Sequence, residues 1–249
     1  AAATAAARGH RVVLCERAPT TGGAVLLAAA APGRAEFGNV VRDLSGECRA
    51  AGVEVRTGVE VDVALVERED PDVVVLATGA RPRLPGWAVP GLVVDVRDVL
   101  SGAAHPEGRV LVYDELGFHQ APAVAELLAA RGCRVEIMTP ALVVAQDLGA
   151  TLDAELFHHR AHAAGIRLTT GRLVTGVDGG RVTVLHHPTG AIEERWVDAV
   201  VGVVAPEPDD ALWPLLRDGP RPVHRIGDCL APRRVPSAVV EGDRIGSGL

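Results

Sequence analysis

The chain has 249 residues, 25 basic and 32 acidic, with 48% hydrophobic and only 3% aromatic side chains. That is enough for one large domain or two ordinary ones, and the balance excludes a disordered chain, a collagen and a small disulfide scaffold. The net charge of -7, with arginines scattered among carboxylates and no lysine at all, argues against a nucleic-acid partner, because phosphate binding needs a basic surface.

The opening run Ala1 to Ala7 is rich in the best helix former and ends at Gly9, where a helix C′ residue belongs. It has no charged n-region or apolar h-region and is not a signal peptide. Arg11 to Glu16 follows as a short β-rich run ending in an acid. A helix, a Gly turn, a buried strand and a terminal acid form the second half of a dinucleotide-binding βαβ unit. The first strand and its G-x-G-x-x-G loop are expected to precede Ala1, so the chain is read as lacking them. Without that loop, the backbone N–H groups that hold a pyrophosphate are missing.

Thr20 to Gly23 reads as a turn and Pro32-Gly33-Arg34 as a loop, with a helix over Ala35 to Ala51 on the 3, 4, 7, 11 spacing of its apolar residues. Its longest apolar neighbour, Val25 to Ala31, is far short of the roughly 20 residues that span a bilayer, so no membrane partner is expected. Short strands are predicted at Val53 to Val55 and Val59 to Val61, and a helical turn at Val63 to Glu69. The apolar run from Pro71 to Gly79 fits a fully buried parallel strand.

A second cycle starts at Arg109. The pattern predicts a strand at Val110 to Tyr113, a helix at Ala121 to Arg131 stopped by Gly132, a strand at Arg134 to Met138 and a helix at Leu152 to Ala164. Further strands follow at Ile166 to Thr169, Leu173 to Val177, Arg181 to Leu185 and Trp196 to Val203, and the last segment, Val223 to Cys229, reads as a strand running into a Gly227-Asp228 turn. The expected fold class is α/β, with two interleaved Rossmann-like dinucleotide-binding lobes and short antiparallel β additions. Residues 1–107 and 206–249 belong to the first lobe and 108–205 to the second. Cys15, Cys48, Cys133 and Cys229 are widely spaced, without C-x-x-C or a metal-finger pattern, so reduced thiols in a cytoplasmic protein are the default.

Glu16-Arg17, Gly22-Gly23, Ala77-Thr78-Gly79 and Gly227-Asp228 stand in the order used by flavoproteins with two dinucleotide-binding domains. Together with Ala31 to Phe37, Tyr113 to Glu126 and Arg225 to Pro232, they make the chain resemble the C-terminal portion of the trimethylamine dehydrogenase and 2,4-dienoyl-CoA reductase family. Those are Old-Yellow-Enzyme-like oxidoreductases. The resemblance implies FAD or ADP in this region and an upstream barrel domain carrying FMN and a [4Fe-4S] cluster. An electron-transfer flavoprotein-type acceptor is a further partner on that reading, and a homo-oligomer is compatible with it.

Each landmark has a physical role and a bland alternative. Glu16 would accept hydrogen bonds from ribose hydroxyls; otherwise it is an exposed acid beside Arg17. Gly22 and Gly23 would admit the cofactor to the backbone, or serve as plain turn glycines. Ala77, Thr78 and Gly79, with their small side chains, fit a crossing close to a dinucleotide or a tight turn. The family contacts adenine through the backbone at the position of Val61. After Gly227, Asp228 is where it holds a flavin ribityl chain, although an Asp there can equally cap the following helix.

The second lobe departs from the pattern. Where G-x-G-x-x-G is expected, Asp114-Glu115-Leu116-Gly117-Phe118-His119 has one glycine, and its two carboxylates would repel a pyrophosphate. The next strand ends at Thr139-Pro140, with no acid for a ribose. NAD(P)H is therefore not expected in this lobe. His158, His159 and His162 read as a solvated helix face rather than metal ligands, and no residue is assigned a catalytic role. The reading that remains open beside the oxidoreductase is a non-catalytic scaffold or docking module with a vestigial nucleotide site.

Overall fold

The computed structural model describes residues 1–249, which form two compact units: residues 1–26, 36–81 and 206–249 in one, residues 27–35 and 82–205 in the other. The first stretch holds α1 (Ala2–Ala7), β1 (Val13–Glu16), α2 (Ala24–Ala29), α3 (Phe37–Ala50), β2 (Glu54–Thr57), α4 (Val63–Glu69), β3 (Val74–Leu76) and β4 (Ala80–Arg81). Next come β5 (Val93–Asp95), α5 (Val96–Ser101), β6 (Arg109–Asp114), α6 (Gln120–Ala130), β7 (Arg134–Met138), a 3-10 turn (Gln146–Thr151) and α7 (Ala154–Ala163). Strands β8 (Arg167–Thr169), β9 (Arg172–Asp178), β10 (Arg181–His186), β11 (Ala191–Trp196) and β12 (Ala199–Val203) complete this part. The chain then returns through β13 (Glu207–Pro208), α8 (Trp213–Leu216), β14 (Val223–Arg225), a 3-10 turn (Gly227–Cys229) and α9 (Val235–Gly248).

In the first unit β1 pairs parallel with β2, and β3 parallel with β14. Helix α1 ends as expected, with Gly9 at a φ of 98°, a left-handed conformation that costs glycine nothing. Helix α9 packs closely on α1: Gly242 and Gly246 are buried, and a Cβ on Gly246 would lie 2.6 Å from the Ala1 carbonyl oxygen and 2.8 Å from the Thr4 Cβ.

The second unit is a five-stranded parallel sheet in the order β5-β12-β6-β7-β8. Alternation along β6 decides which side each residue covers. Val110 and Val112 enter a core with α5, α6 and α7, whereas Leu111 and Tyr113 enter a second core with Val174, Val182 and Val184 of the antiparallel β9-β10-β11 meander. Both faces of the sheet are thus buried, which is why β6 reads as an unbroken apolar run. The α/β class with parallel dinucleotide-type sheets and antiparallel additions is the observed architecture.

Several local expectations are corrected. Val59 to Val61 form no strand, because Gly58 turns the chain at a φ of 70° and only the Val59 N–H continues the pairing, donating to the Glu16 carbonyl. The expected strand from Trp196 to Val203 is two strands in different sheets, parted at Val197-Asp198, where Asp198 accepts the Arg109 N–H at 2.7 Å. The run from Pro71 to Gly79 forms only β3, in which Leu76 alone is buried, and Ala77 and Thr78 are exposed. Leu152 caps the 3-10 turn at a φ of 61°, so α7 starts at Ala154 rather than Leu152. Helix α2 went unpredicted, since six residues are too few to display a helical period.

Candidate nucleotide site in the first unit

Parallel strands place functional groups at their C-terminal ends, and the landmark residues lie there. Glu16 closes β1; its Oε1 accepts the Ala18 N–H at 2.8 Å. Val61 lies half-buried just before Asp62, whose side chain caps α4 by accepting the Leu65 N–H at 2.7 Å. Ala77, Thr78 and Gly79 follow β3, and Gly227 and Asp228 follow β14, its hydrogen-bonded neighbour. The Ile226 N–H donates to the Leu76 carbonyl at 3.0 Å, which sets these two turns side by side.

Asp209 ties the segments together. Its carboxylate lies 3.4 Å from the Arg17 guanidinium and 3.8 Å from that of Arg81. Its main chain accepts a hydrogen bond from the Thr78 hydroxyl and donates one to the Gly79 carbonyl at 2.9 Å. The short antiparallel pair β4-β13 brings Asp209 to this position. Next to it, Asp210 binds Arg225 at 2.6 Å, and Arg225 lies 4.7 Å over the Trp213 ring. Neither Asp209 nor Arg81 was identified in the sequence. They lie in the Pro/Gly-rich stretches Arg81 to Pro90 and Pro206 to Pro222, which carry no functional signature.

The glycines differ in what they permit. A Cβ on Gly22 would meet Leu26 and Val41 side chains at 2.8 and 2.9 Å, so internal packing accounts for that position. Gly23, at a φ of 46°, and Gly79, at 80°, face open space. Gly227 donates its N–H to Glu241 of α9 at 2.7 Å, and Asp228 accepts the Arg233 N–H at 2.9 Å. That backbone N–H, together with Arg233, holds the Glu241 carboxyl below its ordinary value. Asp228 thus holds the main chain just ahead of α9, whose own N-cap, Arg234, makes no side-chain capping hydrogen bond.

These groups suit an adenine nucleotide. A half-exposed carboxylate at a strand end accepts hydroxyls, and a small-residue turn with an exposed Thr78 and an open Gly79 admits a close backbone approach.

In the second unit the β6-α6 turn takes a different form. Asp114 is fully buried, and its Oδ1 accepts the Leu116 and Gly117 N–H groups, both at 3.0 Å. The histidines of α7 gather no ligand set, and no group of three or more metal-binding side chains occurs in the chain. His158 instead bonds the Val144 carbonyl at 3.0 Å. All four cysteines are free, and burial pushes the Cys133 thiol up. No helix is long and apolar enough to cross a membrane.

No family model matches the chain. It is 32% identical to an N,N-dimethylglycine/sarcosine dehydrogenase of Chromohalobacter salexigens, over 98% of this chain and 41% of that protein. The structure of 6-hydroxypseudooxynicotine amine oxidase from Pseudomonas geniculata N1 superposes with a TM-score of 0.94 at 30% identity, covering 99% of this chain and 39% of that one. Histamine dehydrogenase from Rhizobium sp. 4-9 gives 0.92 at 27% identity, covering 99% and 42%. The chain spans about two fifths of the length of these relatives. By this likeness along its whole length, the chain belongs to the flavin oxidoreductase family of these amine dehydrogenases and oxidases, and corresponds to its C-terminal part.

Proposed function

We propose that the first unit binds an adenine nucleotide, as FAD or ADP, and serves as the nucleotide-binding part of an oxidoreductase of the amine-dehydrogenase or enoate and dienoyl-CoA-reductase kind. One observation carries this reading: Asp209 gathers Thr78, Gly79 and Arg17, the residue that follows the strand-end acid Glu16. Glu16 accepts ribose hydroxyls, Gly23 and Gly79 admit the nucleotide backbone, and Val61 offers main-chain groups to the adenine. Bound flavin would supply electron transfer; the residues here bind and orient, and none moves a proton. Residues 1–26, 36–81 and 206–249 form this lobe, and residues 27–35 and 82–205, with β5 of the stretch expected in the first lobe paired to β12, form a second one without NAD(P)H. The partner is an FMN-bearing, [4Fe-4S]-containing barrel upstream in the same protein, with an electron-transfer flavoprotein-type acceptor beyond it.

The test is calorimetric titration of the chain with ADP and FAD, and of its Glu16→Ala variant. Saturable binding that the variant weakens supports the reading, and absence of binding by the folded chain overturns it. A specific set of contacts favours a second reading, a non-catalytic docking module with a vestigial site. Glu16, Gly227 and Asp228 each already hold a partner within the chain. No binding of either nucleotide is the result that supports it.

A further inference from the structure

We propose that the β6-α6 turn of the second unit is an anion site closed from within, in which the Asp114 carboxylate takes the place of a phosphate. This goes beyond the assignment of the first unit and does not depend on it. β6 is the middle strand of the parallel sheet, and the chain leaves it toward β7 on one side while β12 returns on the other. Such a switch point is where an open α/β sheet opens a crevice for a nucleotide, with backbone N–H groups and the following helix facing the phosphate. The following helix, α6, is 11 residues long.

Two consecutive N–H groups of this turn are already committed. Those of Leu116 and Gly117 both donate to Asp114 Oδ1, and Gly117 supplies the φ of 65° that aims them inward. A carboxylate oxygen accepting two main-chain donors reproduces what one phosphate oxygen does in a nest of amides. The other oxygen, Oδ2, is buried and has no hydrogen-bond partner. An orphaned carboxylate oxygen in a fully buried residue is costly, and shape alone does not call for an acid here. Glu115 and Asp147 lie near enough to oppose its charge, so the two main-chain donors are what hold the carboxylate in place.

The crevice is also roofed. The Asp147 N–H donates to the Gly117 carbonyl at 2.9 Å, and the Gln146 Cγ lies 3.4 Å from where a Gly117 Cβ would be. Val144, Ala145 and Leu148 of the same segment are buried in the helical-face core. Val144 to Leu148 therefore lies over the turn where a dinucleotide would run. The absence of extra glycines is then secondary: the turn retains its inward amides, and the chain's own carboxylate fills them.

Amide NMR of the whole chain tests this, with inorganic pyrophosphate as the probe and the Leu116 and Gly117 resonances as a site-specific readout. In the wild type at pH 8 both amides should exchange slowly with solvent, and pyrophosphate should leave their shifts unchanged. In Asp114→Ala the same addition should move both resonances saturably. Movement in the wild type equal to that in the variant overturns the proposal, as does no movement in a folded variant. Should Asp114→Ala fail to fold, the wild type decides: fast exchange or a pyrophosphate-dependent shift of these amides overturns it, and slow exchange without a shift supports it.

Discussion

The Arg17 guanidinium lies 3.4 Å from the Asp209 carboxylate, across 192 residues of sequence. Arg17 is 64% exposed, so solvent screens the pair and its contribution stays below about 1 kcal/mol. Asp209→Asn retains the main-chain bonds to Thr78 and Gly79. It should lower Tm by no more than roughly 2–4 °C, and the difference should shrink in high salt. Thermal melts at two salt concentrations check this; a much larger, salt-independent loss would show that the pair is not solvent-screened.

Glu16 is expected to matter for ligand rather than for fold. Charge-assisted hydrogen bonds contribute roughly 1.5–3 kcal/mol, so Glu16→Ala should weaken ADP binding by about tenfold or more. The fold depends little on it, because β1 and β2 keep their ladder. Calorimetry paired with a thermal melt separates the two effects, and equal ADP affinity in both proteins would remove Glu16 from the site.

Asp114 makes stability depend on pH. Burial pushes its carboxyl up to about 6, more than the Gly117 and Leu116 N–H groups hold it down, and the Asp147 and Glu115 charges add to the rise. The folded value lies above the unfolded one near 3.8. The stabilisation therefore belongs to the protonated form: it is present in full below about pH 4 and lost as pH rises through about 6. The full difference is about 3 kcal/mol. Denaturant unfolding between pH 4 and 8 should show this decline in the wild type and a flatter profile in Asp114→Asn. Identical profiles would mean that Asp114 titrates normally.

Two glycines inside helices should respond in opposite directions to alanine. Gly246 has no room, since its Cβ would meet the Ala1 oxygen at 2.6 Å. Gly246→Ala should cost about 1–3 kcal/mol as α1 and α9 are forced apart. Gly46, within α3, has nothing within 4 Å of its Cβ position. Gly46→Ala should stabilise by up to about 1 kcal/mol through helix propensity. Chemical denaturation of the two variants checks the pair, and a stabilising Gly246→Ala would contradict the tight helix contact.

Strand-end chemistry made part of the site legible. Glu16, Ala77-Thr78-Gly79 and Gly227-Asp228 follow β-rich runs, and a local pattern is enough to find such positions. Asp209 was not legible, because its meeting with Thr78, 131 residues away, depends on the pairing of β4 with β13. Two-residue strands carry no period. The split between β11 and β12 was hidden for a related reason: an apolar run looks alike whether it stays in one sheet or changes to another.

The sequence by itself determined the α/β class, the strand over Val110 to Tyr113, and the acid at the end of β1, since these follow from periodicity and from residue types adjacent along the chain. It also placed Asp114 in the turn after β6, where its charge suggested simple repulsion of a phosphate. Only the tertiary structure decided that this carboxylate accepts the turn's own N–H groups beneath Val144 to Leu148. Hydrogen-bond direction and burial depend on what folds over a residue, and that segment arrives from beyond the next strand.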